Sequence, residues 1–234
     1  MKLVELELKY KYRFSEFFTK LWNDGMIDWM GGRTTAFSAD ENWEKTIYPL
    51  IKEHPPILLH TGGFDFEMLT ADDILNFKFD EFWDLDNHKF IPFAKTEEGA
   101  TYAFYKNIKT KGESAIVCIW NDMNETEILA KNFEDFIFRK MLEAVYDVDK
   151  DDLKGDYKKD GFAGYRADIL KDLKTIIPYL KDEYATILNE VYNREEVSES
   201  SFSFSLVSQE EVGRLIQTHL AFTELNSVFE HEIS

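Results

Sequence analysis

The chain has 234 residues, a formal charge of −18 and a hydrophobic content of 44%. This length suits one large domain, or one domain with a substantial extension, and the hydrophobic content is enough for a folded core. Because 45 acidic residues outnumber 27 basic ones, the chain should repel phosphate backbones and anionic lipid. Composition therefore argues against nucleic-acid and membrane-surface binding, and it favours a basic protein as partner.

Cysteine content and hydropathy exclude further classes. Cys118 is the only cysteine in the sequence, which excludes an intramolecular disulfide and a zinc site built from several cysteines. It lies in the apolar run 115–120, where we expect a buried and inert thiol. Charges at every second position of the N-terminus do not resemble a signal peptide, and no long apolar run predicts a membrane span. We therefore expect a cytoplasmic location.

The first part of the chain mixes strand and helix patterns. Apolar and charged residues alternate over 4–14, which is the period of a half-buried strand. Ser38 with Glu41, and Thr70 with Asp73, have the spacing of helix-capping boxes. The predicted elements, in chain order, are a strand over 4–14, a helix over 14–22, a helix over 43–51, strands at 57–60 and 64–69, and a short helix over 70–75.

The rest of the chain predicts an antiparallel meander followed by helices. Short connections at 97–99 and around Gly112 suit antiparallel neighbours, Asn132 caps a helix, and Pro178 should bend a long one. The predicted elements are strands at 89–94, 100–105, 115–120 and 127–130, a helix over 132–145, a charged connector over 147–160, a helix over 169–191, a strand at 202–206 and a helix over 208–220.

These elements predict an α+β protein with a mixed, mostly antiparallel sheet flanked by helices and a helix-rich C-terminal extension. We expect an α+β domain over 1–146, the charged connector over 147–160, and the extension over 161–234, packed on or beside the first domain. The excess acidity is unevenly distributed, because residues 1–60 carry a net charge of −1, residues 61–146 carry −8 and residues 147–234 carry −9.

Motifs for metal, phosphate or nucleophile chemistry are incomplete. Asp147, Asp149 and Asp151 match the first three ligand positions of a calcium loop, but Asp152 replaces the glycine and Lys158 replaces the bidentate glutamate. The glycine pairs lack the spacing of a phosphate-binding loop, and the five histidines do not form a metal-binding pair. No nucleophile elbow is present either. We therefore predict no catalytic residues, no metal and no cofactor.

An acidic and aromatic segment over 64–86 is distinctive. It contains eight acidic residues and only one lysine, Lys78, interleaved with five phenylalanines and Trp83. Aromatic anchors within a negative field are typical of a surface that binds a basic protein. The alternative is that the aromatic residues face the core while the acidic residues are simply solvated.

A family pattern follows this segment. Its parts are the Ile-Pro-Phe strand at 91–93, the turn ending at Gly99, a strand ending at Trp120 with Asp122 close behind, and the Ile-Leu-Ala-Lys-Asn-Phe entry into a helix at 128–133. This order resembles the SUKH superfamily, which includes fungal Smi/Knr-type cell-wall regulators and many bacterial immunity proteins. The resemblance covers about residues 57–146.

The resemblance implies a non-enzymatic protein, similar to immunity proteins that bind and neutralise a toxin domain, often a nuclease. A regulatory scaffold of the Smi/Knr type is the alternative, and an enzyme is a third possibility. Whether Trp120 belongs to the core or to the interface stays open, as does the oligomeric state. The predicted partner-binding residues are Asp80, Glu81, Trp83, Asp84 and Asp86 of the acidic segment, with Trp120 and Asp122 at the family's Trp-Asp position.

Overall fold

The computed structural model describes residues 2–27, 67–96, 99–151, 153, 157, 161–197 and 202–233. The helices in these ranges are α1 (Lys2–Tyr10), α2 (Glu16–Asn23), α3 (Ala71–Asn76), α4 (Phe133–Glu143), α5 (Gly161–Ile176), α6 (Asp182–Tyr192) and α7 (Gln209–Leu220). The strands are β1 (Glu67–Met68), β2 (Phe90–Lys95), β3 (Thr101–Thr110), β4 (Glu113–Trp120), β5 (Glu125–Ala130), β6 (Val148–Asp149), β7 (Ser203–Phe204) and β8 (Val228–Phe229). The predicted helix over 43–51, with its cap, and the predicted strand at 57–60 lie outside the described residues.

The chain divides into two compact units. The first consists of residues 1–24, 65–136 and 220–234, and the second of residues 25–64 and 137–219. The first unit contains a six-stranded sheet in the order β1-β2-β3-β4-β5-β8, in which every neighbouring pair is antiparallel. The predicted α+β class, with an antiparallel sheet flanked by helices and further helices in the C-terminal part, is confirmed.

The turns of the sheet follow the local chemistry of the chain. Lys111 and Gly112 join β3 to β4 with positive φ angles of 52° and 89°, the backbone of a type I′ hairpin turn, in which glycine is favoured. Pro92 lies beside a register shift in β2, where the ladder does not need its missing N–H group. Thr70 and Asp73 form the predicted capping box at the start of α3.

One face of the sheet is covered by α2 and the start of α4. Phe104 of β3 lies 5.3 Å from Phe18 and 5.6 Å from Phe133, measured between ring centroids. Phe93 of β2 lies 5.6 Å from Phe136. All five side chains are at most 5% exposed, so this aromatic cluster is the main hydrophobic core of the first unit.

The opposite face of the sheet is buried as well, and this corrects one prediction. The alternation of apolar residues in the sequence predicts one shared sheet face for Ile91, Phe93, Tyr102, Phe104, Val117 and Ile119. The β3–β4 register instead places Phe104 opposite Ile116 and Val117 opposite Ala103. Residues at odd positions of β4 therefore belong to a second cluster. Its buried members are Trp83, Phe90, Ala103, Tyr105, Ala115, Val117, Ile119 and Ile128, and its partly buried members are Phe79, Ile108, Phe222 and Phe229.

The predicted N-terminal strand over 4–14 is wrong, because residues 4–10 are helical and residues 11–14 are turn and irregular chain. Residues 2–10 form α1, with Leu3 and Leu6 buried on one side of the helix and Val4 and Leu8 exposed on the other. The segment is rich in Leu, Glu and Lys, whose helix propensity is high, and Leu3 and Leu6 have helical spacing despite the alternation around them. Tyr12, in the non-helical chain that follows, is buried.

The described part of the second unit is mainly helical, with β6 and β7 paired as a two-stranded sheet. The predicted continuous helix over 169–191 is two helices, because Pro178 cannot donate an intrahelical hydrogen bond and disfavours helical backbone in the residue before it; α5 ends at Ile176 and α6 begins at Asp182. Phe138 and Tyr184 stack with ring centroids 3.8 Å apart. The hydroxyl of buried Tyr192 donates to the carbonyl oxygen of Met141 over 2.8 Å.

Candidate functional site

Residues 80–87, called the acidic loop below, connect the segment after α3 to β2 and are fastened to the sheet by one side chain. Trp83 is 7% exposed and belongs to the second core cluster. Its ring centroid lies 5.6 Å from that of Phe79, 5.8 Å from that of Phe90 and 5.2 Å from that of His231. A loop anchored by a buried indole has a defined position against the sheet, which favours a preorganised surface.

Two carboxylates of the acidic loop shape its backbone. Asp80 Oδ1 accepts from the N–H of Phe82 over 3.0 Å, and Asp84 Oδ1 accepts from the N–H groups of Asp86 and Asn87. The side-chain amide of Asn87, and then its backbone N–H, hold the pKa of Asp84 below its usual value. Asp84 therefore stays ionised while it organises the turn.

A C-terminal segment, residues 227–233, fastens the acidic loop from the other side. The N–H of Asp84 donates to the carbonyl oxygen of His231 over 2.7 Å, and the N–H of Ile233 donates to the carbonyl oxygen of Phe82 over 2.8 Å. Trp83 and Glu232 form the antiparallel bridge between these two bonds. An isolated antiparallel bridge thus joins the acidic loop to this C-terminal segment, a feature that the sequence patterns did not indicate.

The same C-terminal segment reaches the turn after β4. Asn124 Oδ1 accepts from the N–H groups of His231 and Glu232, each over 2.8 Å. Asp122 lies in that turn, two residues from Asn124. The structure therefore connects the acidic loop to the turn of the predicted Trp-Asp position through residues 227–233.

The predicted partner-binding residues differ in exposure. Asp80, Glu81, Asp86 and Asp122 are exposed, Asp84 and Trp120 are half-buried, and Trp83 is buried. Trp83 thus anchors the acidic loop to the buried cluster on the sheet, whereas the exposed carboxylates are accessible to a partner protein. Trp120 ends β4 opposite Glu125, neither fully in the core nor fully in solvent.

Four exposed apolar residues of the acidic loop and the C-terminal segment are not among the predicted partner-binding residues. Phe82 is 61% exposed and Leu85 is 36% exposed in the acidic loop, while Val228 is 55% and Ile233 is 64% exposed in the C-terminal segment. Large apolar side chains that stay in solvent beside charged residues are typical of protein-binding surfaces. In the sequence, the only signal for these residues is their position among acidic residues. Pattern alone does not separate neighbours such as Phe82, which is exposed, and Trp83, which is buried.

In the described part of the chain, the carboxylates of this surface form no ion pairs. The residues concerned are Asp80, Glu81, Asp84, Asp86, Asp122, Glu230 and Glu232. Their charges therefore add to one negative field at the surface, which attracts basic partners.

His231 is buried under this surface. It is 1% exposed, and its Nδ1 lies 3.0 Å from Oγ1 of Thr126. Burial lowers the pKa of His231, the nearby Glu232 raises it, and His88 lowers it further, so that the pKa lies below the usual 6.5. The folded protein thus holds this imidazole in its neutral form.

Acidification should therefore destabilise the first unit through His231. The unfolded chain binds a proton at about pH 6.5 while the folded chain resists it, so the unfolding free energy should fall as the pH drops below about 6.5. Urea titrations at several pH values should show this fall in the wild type and a smaller one in His231→Gln. Equal pH dependence in both proteins would contradict the prediction.

The described side chains and helices bear on metal binding and on membrane insertion. Within the ranges that the structure describes, no group of three or more His, Cys, Asp or Glu side chains is arranged to hold a metal ion. Among the same residues, no helix combines the length and apolar character needed to cross a membrane. Cys118 is 3% exposed in β4, as expected for a core thiol.

The fold defines an α+β domain whose antiparallel sheet is covered on both faces and carries an acidic loop at its surface. The sequence profile of the SMI1 / KNR4 family (SUKH-1) matches residues 2–139. This chain belongs to that family, which is generally non-enzymatic and includes immunity proteins. The match spans α1 to α4 and contains the acidic loop, but it does not reach residues 227–233. No curated protein and no solved structure matches the chain.

Proposed function

We propose that this protein is a non-enzymatic binding protein that neutralises a basic toxin domain by docking it on the acidic loop. The observation that carries the proposal is the combination of unpaired carboxylates with exposed Phe82 and Leu85 on a loop held by Trp83. Exposed apolar side chains supply contact area, and the surrounding charges supply orientation. Membership in a family that includes immunity proteins supports the same function.

The mechanism is electrostatic occlusion. A toxin domain that acts on nucleic acid presents a basic cleft for phosphates, and the carboxylates of Asp80, Glu81 and Asp86 would occupy that cleft in their place. The negative field of the acidic loop would accelerate association with the toxin domain, while Phe82 and Leu85 would slow dissociation by burying apolar area. Because the carboxylates lie on an exposed loop, association should weaken as salt screens them.

The experiment measures binding of a purified basic toxin domain, chosen from a toxin gene next to the gene of this chain. The triple variant Glu81→Gln/Asp86→Asn/Asp122→Asn should bind it about 10- to 100-fold more weakly, mainly through slower association. Asp80 and Asp84 are left unchanged because they shape the loop. The control Glu195→Gln/Glu196→Gln/Glu210→Gln removes the same charge from exposed residues of the second unit and should bind about as tightly as the wild type.

Three results would contradict the proposal. Equal weakening in the variant and the control would show that total charge, and not the acidic loop, determines binding. Tight binding that leaves the activity of the toxin domain intact would favour a regulatory scaffold over neutralisation. Absence of micromolar binding by the wild type would refute the toxin domain as partner.

A further inference from the structure

Residues 222–233, called the terminal arm below, contain the C-terminal segment and form one edge of the six-stranded sheet. The N–H of Asn226 donates to the carbonyl oxygen of Ile128 in β5 over 2.8 Å, and the N–H of Ile128 donates to the carbonyl oxygen of Ser227 over 2.9 Å. β8, within the terminal arm, continues this antiparallel pairing with β5. The terminal arm is therefore held along the whole of its path beside β5.

Side chains of the terminal arm complete the second core cluster. Phe222 and Phe229 are partly buried against that cluster. The ring centroid of Phe229 lies 4.8 Å from that of Tyr105 and 5.0 Å from that of His88. On its other side, the terminal arm is joined to the acidic loop by the antiparallel bridge described above. The terminal arm thus fills a groove between β5 and the acidic loop, and the contacts in that groove match its own sequence.

The residue that connects the terminal arm to α7 has an unfavourable backbone conformation. α7 ends at Leu220, and Ala221 follows it with a positive φ angle of 43°. Left-handed backbone is strained for a residue with a Cβ atom, and helices that end in this conformation usually do so with glycine. Alanine instead has the highest helix propensity. Docking of the terminal arm therefore holds Ala221 against its local preference, which is to continue α7.

The hinge at this connection is one residue long, because both neighbours of Ala221 are packed. Leu220 is fully buried and Phe222 is partly buried, whereas Ala221 is exposed. Backbone rotation at Ala221 would release the terminal arm as a unit and leave Leu220 in place. A short connection under strain favours the exchange of a terminal element between copies, because the exchanged form does not need the strained turn.

We propose that two copies of this chain exchange their terminal arms, so that residues 222–233 of each copy complete the sheet of the other. A second copy supplies the same sequence, and its terminal arm therefore re-forms the same hydrogen bonds and ring contacts in the groove. The exchanged form differs from the closed form mainly at Ala221, where the strain is relieved. Each acidic loop would then lie beside Val228 and Ile233 of the other copy, so the candidate binding surface would be built from two chains.

Two costs oppose the exchanged dimer. Association removes translational and rotational freedom, and two chains that each carry a net charge of −18 repel each other. Salt screens this repulsion, because the Debye length falls from about 10 Å at 0.1 M to about 3 Å at 1 M. Since the exchanged contacts are mainly backbone hydrogen bonds and packed rings, the dimer fraction should rise with salt. An interface made of exposed opposite charges would show the reverse dependence.

The test is disulfide trapping between two variants that each carry one new cysteine. Phe82 and Ile233 are exposed and lie opposite each other beside the Trp83–Glu232 bridge, and residues that are paired in this way are close enough for a disulfide. Phe82→Cys and Ile233→Cys are equilibrated together at millimolar concentration and are diluted before oxidation. Neither variant can form this disulfide within one chain, so exchange of terminal arms is needed to produce the covalent dimer.

The matched control is a mixture of Phe82→Cys with Val228→Cys. Val228 is exposed in the same terminal arm but pairs with Glu127 of β5 and not with Phe82. The first mixture should give at least about tenfold more covalent dimer than this control, because exchange holds the two thiols together. Cys118 is buried in all variants. Thermal melts establish that each variant is folded, and one chain with both Phe82→Cys and Ile233→Cys should close the disulfide internally in dilute solution.

Ala221→Gly, added to both cysteine variants, tests the hinge. Glycine adopts left-handed backbone without strain, so the yield of covalent dimer should fall about fivefold or more. A yield no higher than that of the control mixture would overturn the proposal, as would a yield that Ala221→Gly leaves unchanged. A wild type that stays monomeric in sedimentation velocity at millimolar concentration and about 500 mM salt would also overturn it. These outcomes are independent of toxin binding, because no partner other than the chain itself is present.

Discussion

Replacement of Trp83 by alanine should lower the unfolding free energy of the first unit by about 3–5 kcal/mol. The indole is 7% exposed and contacts aromatic rings of the preceding segment, of β2 and of the C-terminal segment. Its removal would leave a cavity where the acidic loop and residues 227–233 meet the sheet. Urea denaturation measures the loss, and hydrogen exchange at the amides of Asp84 and Ile233, which bond across these two segments, should accelerate.

Phe82→Ala is the matched control, because Phe82 directly precedes Trp83 in the chain and is 61% exposed. Removing an exposed side chain away from special contacts changes stability by about 0.5 kcal/mol or less. The two variants should also separate function from stability. Phe82→Ala should weaken partner binding while leaving unfolding unchanged. A stability loss as large as that of Trp83→Ala would show that Phe82, and not Trp83 alone, anchors the loop.

Glu143→Gln should destabilise the second unit by about 3 kcal/mol. Glu143 accepts from Nε of Arg139 over 2.7 Å and from Nζ of Lys140 over 3.0 Å, and the three side chains are 12%, 5% and 13% exposed for Arg139, Lys140 and Glu143 respectively. Burial would raise the pKa of Glu143, but Lys140 and Arg139 outweigh it and hold the pKa below 4.5. Loss of the carboxylate would remove a negative charge from beside the guanidinium group of Arg139 and the ammonium group of Lys140, both of which are poorly solvated.

The same interaction should weaken in acid. A carboxylate whose folded pKa is lowered contributes stability above its unfolded value, and it loses that contribution as the pH falls through the folded value. The difference in unfolding free energy between wild type and Glu143→Gln should therefore be full at neutral pH and should shrink below about pH 4.3. Glu190→Gln is the control, because its ion pair with Arg194 involves a carboxylate that is 69% exposed and should contribute less than about 1 kcal/mol.

Elements with strong local chemistry could be predicted from the sequence. The Thr70/Asp73 capping box and the start of α4 after Asn132 appear as expected, because capping depends on a few neighbouring residues. The alternation of apolar and charged residues over 4–14 wrongly predicts a strand. Tertiary packing decides whether this segment buries its leucines as a helix or as a strand, and here Leu3 and Leu6 pack as part of a helix. Likewise, Val117 was assigned to the wrong face because strand register is a non-local property.

The candidate surface could be predicted in part. The density of acidic residues over 64–86 indicated the segment, and the structure places Asp80, Glu81 and Asp86 in solvent. The sequence could not show that Trp83 points inward while its neighbour Phe82 points outward. It also could not show that residues 227–233 pair with the loop, since this contact joins segments about 150 residues apart.

Completion of the first unit depends on three distant stretches of chain, and this has a consequence for synthesis. Residues 220–233 supply Phe222, Phe229 and His231 to the second face of the sheet, yet they emerge from the ribosome after the whole of the helical second unit. Until then the apolar face around Phe90 and Tyr105 lacks this cover. From the synthesis of β5 until residues 220–233 have docked, nascent chains thus carry an open, aggregation-prone sheet face, which makes them clients for chaperones.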